Sequence, residues 1–441
     1  MRNASRRRRF LSSPAAALLM VVTTVALAQP ATAGQYDPVP DLRSKAEPLR
    51  STAPSGSLGD LRPLGQAIGD ATVVGLGEAT HGTHEFFTLK HRVFRYLVEQ
   101  KGFTTFALEA SWSAGLRLNA YVLHGKGDPE KIIKEEFENP GMWSVREYVE
   151  LAEWMRRYNT RHAKKVQFIG DDANYPEVGG QLIKQVTEYV RHHQPRLLPE
   201  VDARYRKLRQ VKDADAFLAL PLTEREALAA QARQVVDLMQ GHPAKDQDRR
   251  ARAVQDARSI AQSATALSFD TSDPQQVGEA LLYRDKIMAD NVAWWQGHTG
   301  AKILLSAHNV HVAYESYDAK LYPKVQGAFL RDRFGARYVN VGLTFGQGAF
   351  RAQDEKGQWR TVKVSPAAEG SNNQVLEGVS SSDYFLDMRT VSAPARAWLD
   401  TPRSTRDLGR VWPEHERMVS LGKSYDALIY LHTTTAAHPL S

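Results

Sequence analysis

The chain has 441 residues, 42% of them hydrophobic and 24% charged, a globular composition long enough for a large core. Five of its formal +7 charges are Arg2, Arg6, Arg7, Arg8 and Arg9, within residues 1–33 that hold no acid, and the +2 left on the remainder is no nucleic-acid footprint. There is no cysteine, which excludes thiol catalysis and Cys-ligated zinc and leaves stability to the core alone.

Residues 1–33 read as an export signal. "RNASRRRRF" is a charged leader and "AAALLMVVTTVALA" an apolar stretch too short to span a bilayer as a mature helix. "ATA" before Gly34 has the small residues of a cleavage site, and "RRRFL" resembles a twin-arginine signal. The expectation is a secreted protein with no stable membrane anchor after cleavage; the alternative is a retained anchor. Residues 34–60, rich in Pro, Ser and Gly, read as a flexible segment with room for one short helix, before a folded domain over 61–441.

From about Ala71 apolar β-type runs alternate with helical stretches, which predicts an α/β domain with a mainly parallel sheet. "TVVGLG" is the first strand. A helix follows, with Thr83 as N-cap and Phe86, Phe87, Leu89, Val93, Phe94, Leu97 and Val98 on one face. "FTTFALE" is the second strand and "VQFIGDD" the third. Residues 180–297 show helical pattern only, which predicts an inserted helical subdomain. "AKILLSAHNVH" is the fourth strand, and "ARYVNVGLTFG" and "DALIYLH" are later ones.

The strand ends carry the chemistry. The first ends in Glu78 and His81, the second in Glu109, the third in Asp171 and Asp172, and the fourth in His308 and His311. In an open parallel sheet these carboxyl ends lie along one edge, where such folds place their sites. Singly, each residue has an ordinary structural explanation; together they point to a site. A neutral imidazole takes a proton from water near pH 7, and a carboxylate on its other nitrogen fixes the tautomer. Two further imidazoles could donate to a developing oxyanion. That is a kit for water-mediated ester or amide cleavage. Asp171, Asp172 and His84 are candidates to line the pocket, and Trp112, Trp143, Trp294 and Trp295 candidates for its walls.

No G-x-S-x-G occurs, Ser306 sits inside a strand, and "GLGEAT" lacks the spacing of a dinucleotide fingerprint. Two alternatives stay open at this point. The same two Glu and two His could bind a metal, with His308-x-x-His311 supplying paired imidazoles, to give a metal-dependent hydrolase. An exported binding protein without catalysis is the other.

The stretches "GEATH" (residues 77–81), "EFFTLK" (85–90), "GFTTFALE" (102–109), "RDKIMADN" (284–291), "AHNVH" (307–311) and "YDALIYLHTTTAAHPL" (425–440) resemble, taken jointly, the erythromycin esterase family, whose members are also described with succinoglycan biosynthesis. The resemblance runs from about residue 60 onward. It implies a three-layer α/β/α core with an inserted helical subdomain and a cleft between them. It implies hydrolysis of a small-molecule ester, a macrolide lactone foremost, with no cofactor and no required metal. His81 would match the general base, Glu78 and Glu109 the essential carboxylates, and His308 and His311 the later histidines of the pocket. Lys90 stands where some macrolide esterases carry Arg, and would bind substrate without the planar fork.

Overall fold

The computed structural model describes residues 36–137, 142–174, 178–414 and 416–440. The reading of residues 1–33 as an export signal lies outside them. From Tyr36 onward the chain forms one compact unit.

Eleven strands are present among the described residues: β1 (Ala46–Pro48), β2 (Val73–Leu76), β3 (Thr105–Ser111), β4 (Gln167–Asp172), β5 (Ile303–Ser306), β6 (Tyr338–Gln353), β7 (Trp359–Val364), β8 (Tyr384–Asp387), β9 (Arg403–Thr405), β10 (Arg417–Val419) and β11 (Ala427–Thr434). Nine form one sheet in the order β1-β8-β11-β6-β2-β5-β3-β4, with β7 added on β6. From β11 to β4 every neighbour is parallel; β8 and β1 close one side in antiparallel register. β9 and β10 pair separately.

Alternation along each strand divides the core in two. Val73, Ala107, Ile303 and Leu305 face one buried cluster, and Val74, Leu76, Phe106, Leu108 and Leu304 face the other. A sheet covered on both faces explains why these strands read as unbroken apolar runs and not as alternating ones. The first cluster takes its helical half from residues 180–299, inserted between β4 and β5, through Leu182, Val186, Val235, Ile260 and Val292. The second takes it from His84–Lys101, Trp112–His124 and Arg146–Arg161, through Phe86, Leu97, Leu118 and Met155. The result is a three-layer α/β/α fold, and the helical insertion shares its apolar core with the sheet.

Residues 36–60 depart from the flexible reading of 34–60. Val39–Lys45 is a helix that buries Leu42, and Ala46–Pro48 hydrogen-bonds to β8. Arg92 reaches back to an ion pair with Asp60 and to the carbonyl of Ser51. The Pro, Ser and Gly content sets turns, but Leu42 and Leu49 supply enough apolar area to hold the segment down.

Close packing fixes where the strand ends lie. A Cβ on Gly115 would stand 1.9 Å from the backbone nitrogen of Gly170, so the helix after β3 sits directly on β4. Gly115→Ala should therefore destabilise the fold by about 1–3 kcal/mol through overpacking. Gly297, exposed in the helix Pro274–Thr299 with no atom near its missing Cβ, should gain about 0.4–1 kcal/mol as Ala. Urea unfolding of the two variants, expected to move in opposite directions, checks this.

Candidate active site

β2, β5, β3 and β4 are consecutive in the sheet, so their carboxyl ends bring Glu78, His308, Glu109 and Asp172 side by side. The apolar run of β2 stops at Gly77 because Asn309 packs there: a Cβ would lie 2.1 Å from Asn309 Oδ1. Asn309 in turn donates to Leu343 O and Asp407 Oδ1, tying the β2, β5 and β6 ends together. The loop that follows is pinned along its backbone. Asn309 N donates to Glu78 O, Leu408 N to Ala79 O, and Arg351 N and Ala437 N to Gly82 O. Thr83 does occupy the N-cap of the helix His84–Lys101, but its hydroxyl bonds Thr80 Oγ1 at 2.6 Å and not the helix end.

Glu78 is fully buried and divides its oxygens. Oε1 meets His81 Nδ1 at 2.9 Å, and Oε2 is ion-paired with Lys90 Nζ. Burial pushes the Lys90 ammonium pKa down, against the pull of the Glu78 charge. The His81 ring stands edge-on to Trp143 and 5.0 Å from the His308 ring. Glu78 Oε1 accepts from Nδ1–H, so Nε2 carries the lone pair, and among the described residues nothing hydrogen-bonds it. The tautomer is inferred from these partners.

Glu109 sits at the end of β3. Its Oε1 lies 3.0 Å from Arg284 Nη2 and 3.2 Å from His311 Nε2, and Oε2 accepts from the His308 backbone N–H at 2.8 Å. Burial alone would raise its pKa; the facing His311 and Arg284 hold it well below the usual carboxylate range. His311 is bracketed: Nδ1 meets Asp285 Oδ1 at 2.9 Å while Nε2 meets Glu109. Burial opposes its charge, but the two carboxylates push its pKa up to about 10, so it is an imidazolium at neutral pH. The Arg284 Nη1 contact to His311 Nε2 at 3.3 Å is then two donors converging on Glu109 rather than a hydrogen bond. Asp285 also accepts from Tyr322 Oη and from Gln326 N at 2.6 Å.

His308 plays another part. Its Nδ1 accepts from Val310 N, capping the short helix Asn309–Val312, and its Nε2 donates to Leu408 O at 2.8 Å. Burial pushes its pKa down, in keeping with a neutral ring. The expectation that His308 and His311 both offer hydrogen bonds to an oxyanion is thus not met here. His308 gives its N–H to Leu408, and His311 gives both to carboxylates.

A cavity of about 430 Å³ opens against the Glu109 and Asp172 end of this rim. Glu109, Asp172 and Arg284 supply charged lining together with Glu136 and Arg410, and Trp143, Met142, Leu267 and Leu281 supply apolar walls; His81 meets the cavity only through Trp143, against whose ring it packs. Arg284 is held by Asp172 Oδ2 through Nη2 at 2.6 Å and Nε at 2.9 Å, with its side chain still 34% exposed.

Of the expected pocket-lining residues, Asp172 and Trp143 face this cavity; the others do not. Asp171 is fully buried beneath Asp172, bonded to Gln326 Nε2, and desolvation beside Asp172 pushes its carboxyl pKa well up. Lys90 lies behind Glu78, where a cation neutralises a buried carboxylate and cannot meet substrate. His84 turns to Glu147. Trp112 donates to Asp256 Oδ1 and packs edge-on to Trp294 and Trp295 in the core of the helical layer. Arg284 and Asp285 enter the sequence pattern only within "RDKIMADN", where Lys286 and Asp290 are ionisable too and nothing singles out the first two. Tyr322 and Gln326 carried no signal.

A shared metal would need convergent lone pairs. In the rim cluster His308 is held by backbone on both ring nitrogens, and no three of Glu78, His81, Glu109 and His308 bring one ligand atom each within 4.8 Å of one another. The donor set therefore does not fit a metal held by Glu78, His81, Glu109 and His308.

The erythromycin esterase family model matches residues 98–434. The erythromycin esterase type II of Escherichia coli is 28% identical over 379 residues, 79% of this chain and 88% of that protein. A Bacillus cereus protein of known crystal structure is 30% identical, covering 92% of this chain and 98% of that one, with a TM-score of 0.84. A second crystal structure, of a succinoglycan biosynthesis protein, is 32% identical, covers 91% and 97%, and has a TM-score of 0.81. An erythromycin esterase mutant in its open conformation, 18% identical with a TM-score of 0.71 over 88% and 97%, shares the fold. With the family model running from the end of the helix after β2 through β11, the chain belongs to the erythromycin esterase family of hydrolases.

Proposed function

We propose that the protein cleaves a bulky ester, a macrolide lactone foremost, by direct attack of water activated at His81. The observation that carries this is the buried line Lys90–Glu78–His81, which leaves Nε2 as the basic nitrogen. Water gives a proton to Nε2 while its oxygen bonds the carbonyl carbon. The tetrahedral oxyanion collapses, the ester C–O bond breaks, and the leaving alkoxide takes the proton back from Nε2–H. Arg284, anchored by Asp172 and Glu109 and open to the cavity, is the cation placed to stabilise the oxyanion. Asp172 and Glu109 fix that cation, and His311 in turn holds Glu109. The apolar walls suit a ring with little charge. The export reading of residues 1–33 would put this chemistry outside the cytoplasm.

Erythromycin incubated with the protein should gain one water by mass spectrometry. His81→Ala should lower turnover by on the order of 10²–10⁴ with an unchanged circular dichroism spectrum. A wild-type rate in that folded variant would remove His81 as base. No product from the wild type would move the search to other bulky esters, such as acyl groups on extracellular polysaccharide.

Lys90→Met leaves Glu78 buried without its cation and should cost about 3–5 kcal/mol. Adding Glu78→Gln should restore most of that loss, a coupling that a double-mutant cycle in urea reads directly.

The His311 pKa of about 10 lies above the ordinary imidazole value. Its contribution to stability is therefore complete below about pH 6.5 and is lost as pH rises toward 10. Wild-type stability should decline across that window, and His311→Gln, though less stable throughout, should show a flatter decline. An equal slope in both would remove His311 as the source.

A further inference from the structure

A second cluster of ligand-type side chains lies outside the cavity. His84 opens the helix that follows the His81 loop, Glu147 is in the first turn of Arg146–Arg161, and His438 is in the segment after β11. His84 Nδ1 and His438 Nδ1 stand 2.5 and 2.9 Å from the same oxygen, Glu147 Oε1. One ligand atom from each residue lies within 4.8 Å of the others, the only such grouping of His and carboxylates among the described residues. The imidazoles meet edge to face with centroids 4.8 Å apart.

We propose that His84, Glu147 and His438 form a binding site for a divalent transition ion of the zinc class, which clamps the C-terminal segment onto the loop that carries His81. Two imidazoles and a carboxylate are a standard three-ligand set for zinc, with the fourth position left to water. The exposure suits that: the Glu147 side chain is 2% exposed, and those of His84 and His438 are 31% and 65% exposed. Zinc bonds of about 2.0–2.2 Å at tetrahedral angles put ligand atoms about 3.3 Å apart, so each Nδ1 need retreat from the carboxylate by less than about 1 Å. The ion replaces the two Nδ1 protons that now fill that gap.

The backbone holds the ligands without the ion. His84 N donates to Thr435 O at 2.9 Å, Ala437 N to Gly82 O at 2.9 Å, Arg146 N to His438 O at 2.8 Å and Leu440 N to Ser144 O at 3.0 Å. Thr83 pairs with Ala436, and Val145 with Pro439. The site is preorganised, and only ring rotations separate the ion-paired cluster from a coordinating one. None of the three residues lines the cavity or bonds to the Lys90–Glu78–His81 line, so an ion here acts on stability and loop position and not on the reacting atoms.

Zinc chloride is titrated calorimetrically into the full chain, produced without a histidine tag and stripped with EDTA, with thermal melts in parallel. The wild type should bind one equivalent and melt higher with zinc. His438→Ala, at an exposed position, should weaken zinc binding about tenfold or more and abolish the melting shift, whereas His81→Ala should keep both. Absence of binding in the wild type, unchanged affinity in His438→Ala, or loss in His81→Ala would each overturn the proposal. All readouts are binding and melting, so they stand apart from whether an ester is turned over.

Discussion

The ion pair between Lys90 and Glu78, sealed beneath the edge of the sheet, is the contact on which the site depends. A carboxylate taken out of water is costly unless a cation and hydrogen bonds meet it. Lys90 supplies the cation and, through Ala307 O at 3.3 Å, touches the end of β5 as well. His81 then occupies the one oxygen left. Remove the lysine and the imidazole loses the partner that sets its tautomer, because the carboxylate must find water or a proton elsewhere.

The same solution recurs across the rim. Arg284 answers Asp172 and Glu109, and His311 answers Glu109 and Asp285. Arg417 and Asp407 lie behind His308. The charges are arranged in alternating sign and are mostly withdrawn from solvent, so their mutual attraction offsets desolvation. Groups fixed this firmly do not reorganise as charge develops beside them, which is what electrostatic catalysis requires.

The strands and their polar ends could be read from the chain because they obey local rules: apolar runs of β-type residues, each closed by glycine or an ionisable group. Glu78, His81, Glu109 and Asp172 reached the rim as their positions demanded. What could not be read was the direction of each side chain. Whether Lys90 meets solvent or Glu78, or whether His308 donates outward or to Leu408, depends on β-order and on a loop a hundred residues away. Asp171 and Asp172 differ by one residue, and the pleat sends one under the sheet and the other into the cavity. Trp112, a wall candidate by residue type alone, is turned by the first turn of its helix toward the helical insertion. Residues 36–60 misled by composition, since two leucines outweighed the turn formers.

The backbone bonds between Gly82–His84 and Thr435–Ala437 join positions some 350 residues apart. β2 likewise rests between β5 and β6, both made more than 200 residues later. Loop-closure entropy must be met before such distant pairings reward it, so folding of this topology is slow. During synthesis the first-made part of the site has no neighbours to hold it. Its strand waits as an unpaired edge until the helical layer and the later strands arrive, and the loop that carries His81 is held in place only once the C-terminal segment is made.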